Sequence, residues 1–342
     1  MRFQAALRGD PGPVPIYAQM HEYVAVHAGI PTRDFYTRAD LMVPELIEAQ
    51  ASLGIDVVSL TYDIYNIEAE ALGQAISFTE TGVPDIDRNH PLIRDCADLD
   101  RIHTPDFKRD GRFNNVIEMM RYFEDLTGIS PTPGFCAPFT LAANLRGIEQ
   151  LLMDLYEAPD FAHSLLDRLT DEVLAPWILY QKSCFPSATK ISGADAMASI
   201  PIINPTILHD WVIPRIDRLR NLCGSQVSVA NWVGESHLKQ PSTMLDLKLK
   251  VGPGSILGQD PDVDVLSPGF YRDYAEQHGL PLILGIGAAF LSEAQPNQIT
   301  ERIEHYIREG RASTGFVLYL CNVGPTTPQE NIQAAVRAAH DV

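Results

Sequence analysis

The chain of 342 residues is short of positive charge, of cysteine and of long apolar runs. It carries 26 Lys plus Arg against 44 Asp plus Glu, a formal net charge of -18. Phosphate neutralisation needs clustered Lys and Arg, so the deficit argues against a nucleic-acid partner. It also disfavours polyanionic small molecules unless the site hides a local basic patch. The five cysteines, Cys96, Cys136, Cys184, Cys223 and Cys321, are odd in number and widely spaced, with no CxxC pair. A disulfide framework is not expected, and a reducing compartment fits. No apolar run approaches the ~20 residues of a membrane helix. The first fifteen residues lack the apolar core of a signal peptide. The expectation is a soluble, cytoplasmic protein with no membrane partner.

What is present is a core-forming composition, 45% hydrophobic and 20% charged, which rules out a disordered chain. No Pro/Gly/Ser linker divides the chain, and no repeat stands out. Eight short apolar runs recur, at 14–20, 54–63, 130–138, 188–195, 226–233, 254–260, 279–287 and 313–321. Helical patterns lie between most of them. One spans 37–54 and stops at Gly54. The stretch 146–184 reads as two helices broken near Pro159. Further helices are predicted over 204–224 and 297–310.

Eight strands alternating with helices predict an α/β fold, a (β/α)8 TIM-type barrel. A doubly wound open sheet is the alternative, and the lack of GxGxxG after the first strand weakens its dinucleotide form. The segment 69–92 exceeds a simple barrel unit, and a small hairpin around Thr81-Gly82 is expected there, after the second strand. A barrel places its chemistry at the C-terminal strand ends. The polar residues at those ends are Gln19 and His21; Asp63, Tyr65 and Asn66; Cys136; Asp195; Asn231; Asp260; and Cys321 with Asn322. Strand ends are solvated in any case, so each is weaker evidence alone than the set is together.

Four stretches, 63–86, 135–173, 192–219 and 318–342, resemble the uroporphyrinogen decarboxylase superfamily in its order of motifs. The resemblance implies a single barrel domain over 1–342. It also implies one of two chemistries: cofactor-free decarboxylation of a porphyrinogen or other acid, or zinc-dependent methyl transfer between a small substrate and a corrinoid. The decarboxylase branch holds its many carboxylates with arginines just after the first strand, whereas residues 15–30 contain no Arg or Lys. Asp63 matches the aspartate that gathers pyrrole NH groups in that branch. The methyltransferase branch carries a His-x-Cys and a later Cys before Thr-Pro-x-Glu-Asn. Here Cys321 precedes Thr327-Pro328-Gln329-Glu330-Asn331, while Glu235-x-His237 stands where the His-x-Cys is expected.

The chain is therefore similar to the methyltransferase branch, with O-methyl substrates such as an alcohol or a methoxylated aromatic as the expected donors. Glu235, His237 and Cys321 would bind Zn2+ and leave a fourth position open for substrate, whose leaving oxygen the metal would stabilise. Asp63, Tyr65 and Asn66 are the candidate catalytic residues. His21, Cys136, Asp195, Asn231 and Trp232 are the candidate substrate-binding residues. No Asp-x-His-x-x-Gly corrinoid signature occurs, so the corrinoid is expected on a separate partner protein. Superfamily members are often dimers, which makes a homodimer possible.

Overall fold

Side chains in the apolar runs alternate in the face they present, as a pleated strand requires. The computed structural model describes residues 2–10, 12–79, 82–229 and 231–341. Its strands are β1 (Ile16–Ala18), β2 (Ile76–Ser77), β3 (Asp85–Ile86), β4 (Gly134–Cys136), β5 (Ile191–Ala194), β6 (Val227–Val229), β7 (Ile256–Gln259), β8 (Leu282–Ile286) and β9 (Phe316–Leu320). β4, β5 and β6 form one parallel sheet, and β1, β9, β8 and β7, in that order, form another. The register places Gly134, Ser192 and Ser228 in one row. Gln259, Gly285, Tyr319 and Tyr17 form another.

The run 54–63 makes no ladder among the described residues, although it lies beside β1. The Asp56 N–H donates to the Ile16 carbonyl at 3.0 Å, and Asp56 Oδ2 accepts the Ile16 N–H at 2.9 Å. Further along, the buried Gln50 side chain occupies both backbone groups of Ser59, at 2.7 and 2.8 Å, so a neighbouring strand cannot. Residues from all eight runs line one central cavity of about 330 Å³. This is the arrangement of a (β/α)8 barrel, with its ladders in two arcs. The hairpin excursion is present as the antiparallel pair β2–β3, with Ile76 opposite Ile86 and Ser77 opposite Asp85. Thr81, at its expected turn, lies outside the described residues.

Outward strand residues such as Ile16, Ile191, Val227, Leu282 and Leu318 are buried under the helices. Inward positions of such barrels usually carry bulky branched side chains that fill the interior. Here several are small: Gly134, Ser192, Ala194, Ser228 and Gly285. At Gly285 a Cβ would stand 2.5 Å from Cys321 Sγ and 3.1 Å from Gln259 Cγ, so a larger residue would displace both. The predicted helices are present. One spans Ala39–Ser52, and Ile148–Glu157 and Pro159–Arg168 break at Pro159. Pro296–Gly310 opens on a proline behind a Gln295/Gln298 capping box. The predicted helix over 204–224 runs through Pro205–Cys223 with a widened turn at Leu208–Val212. No helix of the described residues is long and apolar enough to cross a membrane.

Candidate functional site

The C-terminal strand ends surround a mouth cavity of about 350 Å³, and the hairpin residues Val83, Pro84 and Asp85 form part of its wall. Gln19, His21, Glu22, Asp63, Tyr65 and Asn322 are among the side chains that line it. Gln19, Tyr62, Ile64 and Tyr65 also line the central cavity, so the mouth and the lumen meet at these four residues. A larger cleft beside residues 6–15 with 311–316 is lined by none of the mouth's residues, and another along the hairpin shares only Asp85 and Arg88 with it.

Asp63 faces the mouth, but both its oxygens are occupied. The buried Arg112 donates to Oδ1 at 3.0 Å and to Oδ2 at 2.6 Å, and reaches Glu70 at 2.5 Å with its Nε. Burial pushes the Asp63 carboxyl upward against the opposing pull of Arg112. Asn66 Nδ2 donates to the Pro84 carbonyl at 2.6 Å and to Asp63 at 3.3 Å, which fastens the hairpin to the strand end. These two candidates for catalysis build the wall. His21 is buried, and its Nδ1 pairs with the Tyr36 hydroxyl at 2.8 Å. Burial lowers its pKa to about 3, so the ring is neutral.

Tyr65 stands apart from its neighbours in the wall. The Asp195 backbone N–H donates to Asn231 Oδ1 at 3.0 Å, which fixes the amide's orientation. The other end of that amide, Nδ2, donates to the Tyr65 hydroxyl at 3.1 Å. Tyr65 Oη is therefore an acceptor in this contact, and its own proton has no acceptor among the described residues. Burial raises its pKa, so the proton stays on. The result is a hydrogen-bond donor held at the junction of the two cavities.

Three expected pocket residues lie behind the wall. Asp195 is fully buried; its Oδ1 accepts from the Thr140 N–H at 2.9 Å and hydroxyl at 2.8 Å, and its Oδ2 from Trp232 Nε1 at 3.2 Å. Burial pushes its pKa up to about 6. Trp232 is thus a packed partner of Asp195 and caps no ligand. Cys136 is buried with its N–H on Glu68 Oε1 at 3.0 Å, and burial pushes its thiol well up. Asn231 lines the lumen as expected.

The expected metal ligands do not converge. Among the described residues no group of three His, Cys, Asp or Glu side chains could hold a metal ion. Glu235 is fully buried and ion-paired with Lys248, whose Nζ also donates to the Leu257 carbonyl at 3.0 Å. His237, two residues on, is exposed. Cys321 sits beyond β9, where burial and then the nearby Asp260 carboxylate push its thiol well above the ordinary value. The carboxylate that such a ligand set would draw on is already paired with Lys248. The Glu-x-His spacing predicts a ligand pair, but the backbone sends Glu235 into the core and His237 to solvent.

Arg112 and Lys190 were not singled out in the sequence. Arg112 lies 49 positions from Asp63, with nothing local to mark it. Lys190 did leave a signal: the alternation of β5 puts it on the inward face with Ser192 and Ala194.

The sequence pattern of the family described as Uroporphyrinogen decarboxylase (URO-D) matches residues 1–342. The chain belongs to the uroporphyrinogen decarboxylase family. Its relatives fall on both sides of that family's chemistry. A uroporphyrinogen decarboxylase of Xanthomonas oryzae pv. oryzae (strain PXO99A) is 27% identical over 177 residues, 48% of this chain and 46% of its own length. The chain thus spans less than half the length of this relative. A methylated-thiol–coenzyme M methyltransferase of Methanosarcina mazei is 24% identical over 308 residues, 84% of this chain and 73% of its own length. A solved methyltransferase from Methanosarcina mazei shares the fold, with a TM-score of 0.77 at 21% identity, over 99% of this chain and 97% of its own.

Proposed function

We propose that this family member moves a methyl group between a small substrate in the mouth cavity and the cobalt of a corrinoid carried by a separate protein. The observation that carries the reading is the charge of the mouth. Its lining arginine, Arg88, is paired with Asp85 at 2.9 Å, while Glu22 adds a further carboxylate. Behind the wall, Arg112 is paired with Asp63 and Glu70. A porphyrinogen bearing many carboxylates would meet no unpaired cation at this mouth among the described residues, and burying charges without partners is costly. A cavity of about 350 Å³ suits a small donor. The long match to a methyltransferase supports the same choice.

As a methyl group departs, the donor atom keeps the bonding pair and gains negative charge. A preorganised hydrogen-bond donor aimed at that atom lowers the barrier. Tyr65 has such a proton to offer, with Asn231 and the Asp195 backbone holding it in place. An O-methyl donor, an alcohol or a methoxylated aromatic, would gain most, because oxygen concentrates the developing charge. Zinc held by Glu235, His237 and Cys321 is not part of this reading.

The test pairs the purified chain with reduced cobalamin and a panel of O-methyl and S-methyl donors, followed by the visible spectrum of methylcobalamin. Uroporphyrinogen is offered in parallel. Methylation with at least one donor is the expected result. Consumption of uroporphyrinogen with no cobalamin methylation would place the protein with the decarboxylases instead.

A further inference from the structure

The central cavity below the mouth has an uneven charge. Its lining residues include Tyr17, Thr61, Tyr62, Thr132, Ser192, Ser228, Ser255 and Tyr319, with Gln19, Asn231 and Gln259 supplying amides. Lys190 is the one charged side chain among them. In a chain of net charge -18, an inward-facing space that holds a single cation and no carboxylate is unexpected. No hydrogen bond or ion pair to Lys190 is present among the described residues. The residue lies just before β5, at the N-terminal end of the lumen. Gly134 pairs with Ser192 and Ser192 with Ser228, so Thr132 and Lys190 begin the inward faces of two adjacent strands.

We infer that the lumen is a binding site for a slender monocarboxylate, with the acid group on Lys190 and the surrounding Ser and Thr hydroxyls and the body along the tyrosine wall towards the mouth. Three features favour an anion of this kind. A carboxylate would replace water as the partner of the exposed amine, and charge-assisted hydrogen bonds are the strong ones. The hydroxyls can donate to the remaining lone pairs. The stacked Tyr17 and Tyr319, 4.4 Å between ring centroids, offer a flat apolar wall. Lys190 is exposed, standing where the lumen opens to solvent at its N-terminal end, yet its surroundings crowd it enough for desolvation to lower its pKa. Both hold for a side chain in a wet cavity, and the unfavourable desolvation is what a bound anion would offset. A polyanion is excluded, because the lumen offers one cation. Ala194 lies four positions beyond Lys190, about 13 Å at ~3.3 Å per residue. An acid of that length would present its far end to Tyr65, which deepens the proposed function by naming the acid end of its substrate. The site is tested by binding alone, so a failure of methyl transfer and a failure of this site are separately visible.

The experiment is calorimetric titration of the whole chain with benzoate and octanoate, each against its neutral amide. At least one acid should bind more tightly than its amide, by roughly ten- to a hundredfold, the weight of one charge-assisted hydrogen bond. Lys190→Met should remove that preference and Lys190→Arg should keep most of it, with thermal melts confirming that both fold. Ser192→Leu, which fills the lumen, should abolish binding of acid and amide alike. Equal affinity for acid and amide in the wild type would overturn the inference without any variant. An acid preference that survives Lys190→Met, or no binding of either acid, would overturn it as well.

Discussion

Both oxygens of Asp63 are taken by Arg112, so the stability of the pair rests on neither charge being left alone. Removing one partner of a buried pair strands the other in low dielectric. Arg112→Met should therefore cost about 3–5 kcal/mol in a urea melt, and Asp63→Asn combined with it should recover part of the loss. An Arg112→Met variant as stable as the wild type would show that Asp63 is solvated. Glu68 makes a different demand. It is fully buried, its Oε2 lacks a partner among the described residues, and burial pushes its pKa from 4.5 up to about 8. Between those values the unfolded chain has lost this proton and the folded chain keeps it, so its contribution to stability falls as pH rises. Glu68→Gln should gain on the wild type between pH 5 and pH 8, read from denaturation midpoints at both. A constant difference would mean that Glu68 ionises normally. At this scale the sequence was a partial guide. Tyr65, Asn231 and His21 were legible because alternation and strand ends place them. Asp195, Cys136 and Trp232 were misplaced because a strand end has two sides, and polarity does not say which one faces the cavity.

The second apolar run shows why an element can be visible in sequence without forming a ladder. Its apolar content marks it as a barrel stave, but Gln50 takes the backbone groups of Ser59. No propensity scale registers a side chain competing for a strand's edge. The hairpin β2–β3 is legible for the opposite reason, since its length exceeds what a barrel unit needs. Its attachment depends on Asn66, whose amide holds the Pro84 carbonyl at 2.6 Å. Asn66→Ala should loosen the hairpin with little effect on the barrel. Limited proteolysis should then cut within residues 75–90 several times faster, while the thermal midpoint moves little. Unchanged cleavage would mean that the β2–β3 ladder alone holds the excursion. The loop bearing Glu235 is anchored more deeply. The Asp262 carboxylate accepts the Gly234 N–H at 2.6 Å and the Ser236 N–H at 3.0 Å, and Lys248 closes on Glu235. The sequence read this latch as a metal loop because spacing alone does not reveal burial.

Across the whole molecule, the barrel arrangement was legible from eight runs and their intervening helices, because periodicity reports it directly. The open lumen was not, because it depends on small inward residues meeting from several staves. The placement of charge follows the same division: a chain of net charge -18, a mouth whose cations are matched, and one lysine lining the lumen. Since no group of three ligating side chains gathers at Cys321 among the described residues, Cys321→Ala should leave the zinc content of the purified protein unchanged by elemental analysis. A loss of one zinc per chain would restore the metal to the mechanism.

The most direct measurement is the rate of cobalamin methylation by the Tyr65→Phe variant beside the wild type, with the best O-methyl donor. The account predicts a fall in kcat of about a hundredfold with KM little changed, the loss expected for one preorganised donor to a developing anion. An unchanged kcat, in a variant whose fold is intact, would contradict it.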